Sequence, residues 1–268
     1  MQMRRFLLLG LVAAALAGVP AASASPPPPS SIAGIGDSIT RATDVCCWYG
    51  DHPRQSWSTG NGLFDGIRSH YERLLALTPS IYGHNYNDAR AGAKMRDAQG
   101  QAQTAVTQQA QYVTILMGGN DVCTDSPSTM TSVSDFTAQF TATMNTLAGL
   151  PAGSHVFVSS IPNIYRLWQL LHNNGTARLV WSLAHICQSM LSPANTEADR
   201  QFVLAREEAF NDVLRDVCGL YAMCRFDDYA VFNYQFSTNQ VSTLDYFHPS
   251  LAGQAALASV TWQRSWWG

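Results

Sequence analysis

Two short runs of this chain, Tyr112-Val113-Thr114-Ile115-Leu116-Met117 and His155-Val156-Phe157-Val158, are apolar with almost no alternation. A strand with one wet face alternates polar and apolar residues, whereas a strand covered on both faces does not. The two runs therefore read as interior strands of a parallel sheet with helices on both sides. Further strand candidates lie at 31–36, about 84–89 and 222–227. Three sets of apolar residues recur in steps of three and four. They are Leu63, Phe64, Ile67, Tyr71, Leu74 and Leu75; Val133, Phe136, Phe140, Met144 and Leu147; and Phe202, Ala205, Phe210, Val213, Leu214 and Val217. That spacing predicts helices packed on one side, with these stripes as core. Strand and helix alternate along the chain, so the expected fold is α/β: a three-layer α/β/α sandwich around a parallel sheet.

The first residues have the form of a secretory signal peptide. Arg4-Arg5 precede the apolar stretch Phe6 to Ala17, and Ala22-Ser23-Ala24 supplies a small-residue exit. The apolar stretch is short for a membrane span. The expectation is cleavage after residue 24, a stiff proline-rich lead-in at 25–30, and one domain over 31–268 with no internal repeat. The protein is then secreted and extracellular. Formal net charge is −3, and loss of Arg4 and Arg5 makes it more negative, which argues against nucleic acid as a partner. A monomer is expected.

Six cysteines lie beyond that segment: Cys46, Cys47, Cys123, Cys187, Cys218 and Cys224. An even count in a secreted chain predicts disulfides, although six cysteines allow fifteen full pairings. Cys218 and Cys224 close a short loop between a helix and a strand. A Cys123–Cys187 bridge would tie a long insertion to the segment after Asn120. Adjacent Cys46 and Cys47 are left over. No Cys-x-x-Cys or neighbouring His pair suggests a metal site, and no cofactor is expected.

Four further blocks bear chemistry. Gly36-Asp37-Ser38 ends the first strand candidate. Gly92 lies in Ala91-Gly92-Ala93. Gly118-Gly119-Asn120-Asp121 follows the second apolar run. Asp245-Tyr246-Phe247-His248 precedes Pro249 and a helix-like C-terminus. In open α/β sheets, ligands bind beyond the carboxyl ends of the strands. That rule alone puts Ser38, Gly92 and Asn120 on one edge. Serine is a poor nucleophile at neutral pH without a base. His248 titrates in the useful range and has a carboxylate three residues before it. Asp245 would fix its tautomer, with a main-chain carbonyl in the same loop as the alternative. The other six histidines read as surface or structural residues, and Asp37 and Asp121 as local hydrogen-bond supports.

The order Ser…Gly…Asn…Asp-x-x-His resembles the SGNH (GDSL) family of ester hydrolases. The resemblance covers essentially all of 31–268 and implies a three-layer fold with about five parallel strands. It assigns the oxyanion donors to the amides of Ser38 and Gly92 and the side-chain amide of Asn120. The implied reaction is acyl transfer through a serine ester. Ser56-Trp57-Ser58-Thr59-Gly60 is similar to phospholipase B-like members. The Gly-Asp-Ser-Ile-Thr-Arg-Ala start and the cysteine-rich secreted format look like actinobacterial phospholipase A1 and lipase members.

The substrate expectation is therefore a phospholipid or other lipid ester, with transient contact at a lipid interface. Arg41 and Arg54 are candidate phosphate contacts, or ordinary ion-pair partners of Asp44 or Asp51. Trp48, Tyr49 and Trp57 would line an interfacial lip. A helical excursion at about 164–191, with Trp168 and Trp181, would cover the core, wall an acyl chain, or do both. Because sugars also stack on Trp, a carbohydrate O-acetyl esterase is the second reading. A non-catalytic binding module is the third.

Overall fold

Both apolar runs form strands buried on both faces. The computed structural model describes residues 25–268, so the signal-peptide reading lies outside the described residues. Five strands form one all-parallel sheet: β1 (Ile32–Gly36), β2 (Asn85–Asn87), β3 (Tyr112–Leu116), β4 (His155–Val158) and β5 (Cys224–Phe226), in the order β2-β1-β3-β4-β5. The period of two divides the strand side chains between two cores. Ala33, Ile35, Val113, Ile115, Val156 and Val158 face the larger core. It is closed by α2 (Met95–Thr107), α4 (Val133–Leu147) and α8 (Glu197–Cys218). Ile32, Tyr112 and Phe157 face the opposite side, with Tyr71 and Leu74 of α1 (His70–Leu77) and Trp262 of α9 (Leu251–Arg264). Helices on both faces of a parallel sheet make the three-layer α/β/α sandwich.

Two of the three expected helices differ in detail. α1 begins only at His70, because Ser69 and Glu72 form a reciprocal capping box that stops the helix there. Leu63 and Phe64 lie in the preceding loop, exposed, and Phe64 has φ +60°. α8 exists, with Phe210, Leu214 and Val217 of the expected stripe buried and Val213 packed against the core, but the stripe fails in the first half of the helix. Phe202 is exposed, while Val203, Glu207, Phe210 and Leu214 are buried. Glu207 takes a core position because both its oxygens accept the Ile164 amide, at 3.3 and 3.2 Å. Burial holds its carboxyl well above the usual carboxylate range, against that amide. A charged residue ordinarily marks an outer face, which is why the periodicity passed over Glu207.

The excursion after β4 is three short helices, α5 (Ile164–Leu171), α6 (Gly175–Leu183) and α7 (Gln188–Leu191). Between β3 and α4 lies the four-residue helix α3 (Gly119–Val122). Cys123–Cys187 bridges the end of α3 to α7, and Cys218–Cys224 bridges the end of α8 to β5. Cys46 and Cys47 are unbridged thiols. His70 is structural: fully buried, it meets Tyr112 Oη at 2.9 Å and Thr261 Oγ1 at 2.8 Å.

Candidate active site

Strand order reverses between β1 and β3, and this is where such a sheet opens a crevice at its carboxyl edge. Ser38 leaves β1 there and Asn120 leaves β3. Gly36 is required by close packing: a Cβ would sit 2.4 Å from Thr40 Oγ1 and 2.7 Å from the Leu116 carbonyl. Asp37 turns inward and its Oδ1 accepts the Ile39 amide at 2.9 Å. Burial pushes its carboxyl up to about 6, against the pull of that amide and of the His248 charge. The chain continues from Ser38 into turns rather than a helix, so Ser38 has no capping duty there.

Two glutamines absent from the sequence argument hold this turn. Gln101 of α2 clasps Gly36, accepting its amide at 2.8 Å and donating to its carbonyl at 3.0 Å. Gln254 of α9 donates to the Ile39 carbonyl at 2.8 Å and accepts the Trp57 amide at 2.9 Å. Both are buried amides with partners on each end, as buried polar groups require. Their contacts span the chain, so no local pattern announces them.

Asn120 sits in the first turn of α3 and donates through Nδ2 to the Ala93 carbonyl at 3.0 Å. This bond uses one of its two N–H groups and aims the other. Gly92, with φ +76°, lies one residue before that anchor. Asp121 braces the same junction, accepting the Met95 amide at 2.9 Å and the Thr131 hydroxyl at 2.7 Å. Within the described residues, neither the Ser38 nor the Gly92 amide donates a hydrogen bond. The Ser38 and Gly92 amides and the second Asn120 N–H are thus without a protein acceptor among the described residues.

His248 is carried by a tight loop. Asp245 Oδ1 accepts the Phe247 and His248 amides at 2.9 and 3.1 Å, and Asp245 Oδ2 accepts a hydrogen bond from His248 Nδ1. Pro249 pairs back on Val241, and the Ser242 amide donates to the His248 carbonyl at 2.8 Å. The imidazole partner is therefore a carboxylate rather than a main-chain carbonyl. Burial alone would lower the His248 pKa, but the Asp245 bond and the charges of Asp245, Asp44 and Asp37 raise it above its ordinary value. Burial raises Asp245 in turn, and the bond and charge of His248 outweigh it and hold the carboxyl low. Asp44 is a third acid at this place that the sequence reading used only as a possible ion-pair partner. Burial, then the nearby Asp245 charge, push its carboxyl up. Asp44, Asp245 and His248 are the one group of three potential cation ligands among the described residues. Two of them, however, are already bonded to each other. No hydrogen bond joins Ser38 to His248 among the described residues. Such contacts commonly tighten only with substrate.

Ser38, Asn120 and His248 line one cleft with about 710 Å³ of empty space, partly open to solvent. Its wall is apolar: Ile161, Ile164, Leu167, Leu170, Phe236 and Phe247. The excursion thus reaches the cleft, through Ile164, Leu167 and Leu170 and not through Trp168 or Trp181. Trp181 is buried and donates from Nε1 to the Tyr246 carbonyl at 2.9 Å, bracing the His248 loop from behind. Trp168 lies under the Arg200 guanidinium at 3.7 Å, outside the cleft lining. Trp57 is also no lip residue. It is fully buried with Leu116, Val231 and Leu257, and its indole donates to Thr40 Oγ1 at 3.3 Å. Arg41 is ion-paired with Asp51 at 2.9 Å. Arg54 is exposed and, like Arg41, outside the cleft lining. Trp48 and Tyr49 are exposed, and Tyr49 Oη donates to the Leu244 carbonyl at 3.0 Å, which ties this rim to the His248 loop.

Solved structures share this architecture at low identity. An alpha/beta hydrolase enzyme from the metagenome of Lake Arreo, Spain, superposes with TM-score 0.55 at 19% identity, over 87% of this chain and 94% of that one. The extracellular lipase of Streptomyces rimosus gives 0.50 at 14% identity, over 88% and 99%. The Clostridium thermocellum family 3 carbohydrate esterase gives 0.50 at 13% identity, over 87% and 94%. At these identities the likeness speaks for the fold. No curated protein matches the sequence significantly. The family model does: this chain belongs to the GDSL-like lipase/acylhydrolase family, which it matches over residues 35–256.

Proposed function

We propose that the protein is a secreted serine esterase that cleaves long-chain acyl esters, as a lipase or phospholipase does, through a Ser38 acyl-enzyme. The family acts on esters. The choice of acyl chain rests on one observation, the apolar wall that faces Ser38 and His248 in a single cleft.

In this reading His248 Nε2 takes the Ser38 proton as Oγ attacks the ester carbonyl. Asp245 keeps the Nδ1 proton in place and stabilises the imidazolium. The Ser38 and Gly92 amides and Asn120 Nδ2 bind the oxyanion. When the tetrahedral intermediate collapses, His248 returns the proton to the departing alkoxide. Water, activated by the same imidazole, then releases the acid and restores Ser38. Each methylene buried against Leu167 or Leu170 adds at most about 0.8 kcal/mol, so several produce a large gain in kcat/KM if they bind in the transition state.

The test compares acetyl, butyryl and palmitoyl esters, then phosphatidylcholine in mixed micelles, with fluorophosphonate labelling of Ser38 as the chemical control. Rising kcat/KM with chain length supports the proposal. Strict preference for acetyl groups on sugars, with no lipid turnover, replaces it with a carbohydrate O-acetyl esterase. Absence of labelling and of all ester hydrolysis in folded protein removes the serine mechanism.

A further inference from the structure

The cleft contains one strong cation, and it is neither of the arginines that the sequence pointed to. Arg166 is the third residue of α5, on the same wall as Ile164, Leu167 and Leu170. Its position runs against local preference. The first turn of a helix carries partial positive charge and favours acidic side chains, yet α5 has none there and presents a guanidinium instead. The helix is nucleated by other means: Asn163 Oδ1 accepts the Arg166 amide at 2.8 Å. The side chain is held as well. Its Nε donates to the Phe236 carbonyl at 3.2 Å, which anchors one edge of the guanidinium to another residue of the same lining. That bond uses one of five N–H donors. No carboxylate of the described residues pairs with Arg166. Asp37, the acid in the same lining, is instead bonded to the Ile39 amide.

A half-buried guanidinium in an apolar wall, anchored at Nε and without a counter-ion, keeps N–H donors free for an anion. The remaining fork matches a tetrahedral oxyanion in bidentate fashion. We infer that Arg166 is the anion-binding group of this cleft and selects esters that carry a phosphate close to the scissile acyl group. This rests on the esterase reading above. It assigns the phosphate contact to the wall beside Ser38, whereas Arg41 is neutralised by Asp51 and Arg54 lies outside the lining. The phosphate can belong to a lipid headgroup or to a small soluble phosphoester, and the experiment separates the two.

Purified full-length protein is assayed with dihexanoyl phosphatidylglycerol and with dihexanoylglycerol, both below micelle formation, in wild type, Arg166→Met and Arg166→Lys. Met keeps an apolar stem against Leu170 and removes the fork. The readout is the ratio of kcat/KM for the phosphate-bearing and neutral substrates, so any loss common to both cancels. The expected wild-type ratio is about tenfold or more, carried mainly by KM. It should fall to near unity in Arg166→Met and recover in part in Arg166→Lys. Circular dichroism and thermal melts check that the variants are folded. In the second arm, inorganic phosphate and glycerol phosphate compete against p-nitrophenyl acetate. Inhibition of wild type that is lost in Arg166→Met shows that the site takes a free phosphate as well as a headgroup. A ratio near unity in wild type, or one unchanged in Arg166→Met, overturns the inference while leaving the esterase reading intact. Failure on every diacyl substrate with retained acetyl esterase activity overturns the lipid reading, and the inhibition arm then decides Arg166 by itself. In that case, equal inhibition of wild type and Arg166→Met, or inhibition of neither, refutes the inference.

Discussion

Asp245→Asn is a near-isosteric change that interrogates the histidine loop. The side-chain oxygen of Asn can still accept the Phe247 and His248 amides, now held at 2.9 and 3.1 Å, so the loop should keep its shape. Only the group facing His248 Nδ1 changes, from an oxygen acceptor to an N–H donor. The imidazole must then offer a lone pair at Nδ1 and carry its proton on Nε2, the atom that has to accept the Ser38 proton. Losing a hydrogen bond to a charged partner by itself costs about 1.5–3 kcal/mol. Inverting the tautomer adds to that, because the reactive form becomes the minor one. The expected loss is about 10³–10⁴-fold in kcat, equivalent to roughly 4–5.5 kcal/mol of barrier. KM should change little, since Asp245 is buried behind His248 and touches no substrate. The assay is steady-state hydrolysis of p-nitrophenyl butyrate, with a thermal melt to verify the fold. A variant within tenfold of wild type, at unchanged stability, would refute the argument. It would mean that some other acceptor orients the imidazole during turnover.

The remaining predictions concern the same loop and the corrected tryptophans. Because the His248 pKa is raised and the base must be neutral, kcat/KM should climb with pH through a limb centred above 6.5, and Asp245→Asn should move the residual limb downward; a pH–rate profile of both proteins checks the sign. Trp57→Ala should cost about 3–5 kcal/mol of stability in denaturant unfolding, as for other buried aromatics, and leave the ratio of long-chain to acetyl turnover unchanged. A folded Trp57→Ala protein that selectively loses long-chain esters would restore Trp57 to the substrate lip. Trp181→Phe removes the bond to the Tyr246 carbonyl at the cost of about 1 kcal/mol; kcat should drop by a similar factor for acetyl and palmitoyl esters, and a chain-length-dependent loss would mean that the indole touches substrate.

Contiguous features were legible in the sequence. A short unalternating run such as Tyr112–Leu116, set between helical periodicities, reads as an interior strand, so the parallel sheet and its helical layers followed. Asp245 and His248 are three residues apart in a turn, close enough that covalent geometry brings them together. Ser38 and Asn120 each follow a strand, and the sheet's own geometry places both at one edge. The pairing of Cys218 with Cys224 was also a short-range matter.

Other features depended on which segments meet. Trp57 and Trp48 look alike in sequence, but Leu116, Val231 and Leu257 enclose the first and solvent meets the second. Trp181 was chemically suited to an acyl wall, and its indole instead found the Tyr246 carbonyl 65 residues away. Glu207 turned inward because the Ile164 amide needed an acceptor. Gln101, Gln254 and Arg166 carried no local signal, since their partners lie on other strands and loops. The sequence by itself determined the chemistry of each side chain, the local period and the order of the elements. The tertiary structure alone decided which side chains are desolvated, which are paired and which face the cleft. Burial and pairing are properties of contacts between distant segments, and one-dimensional periodicity contains no term for them.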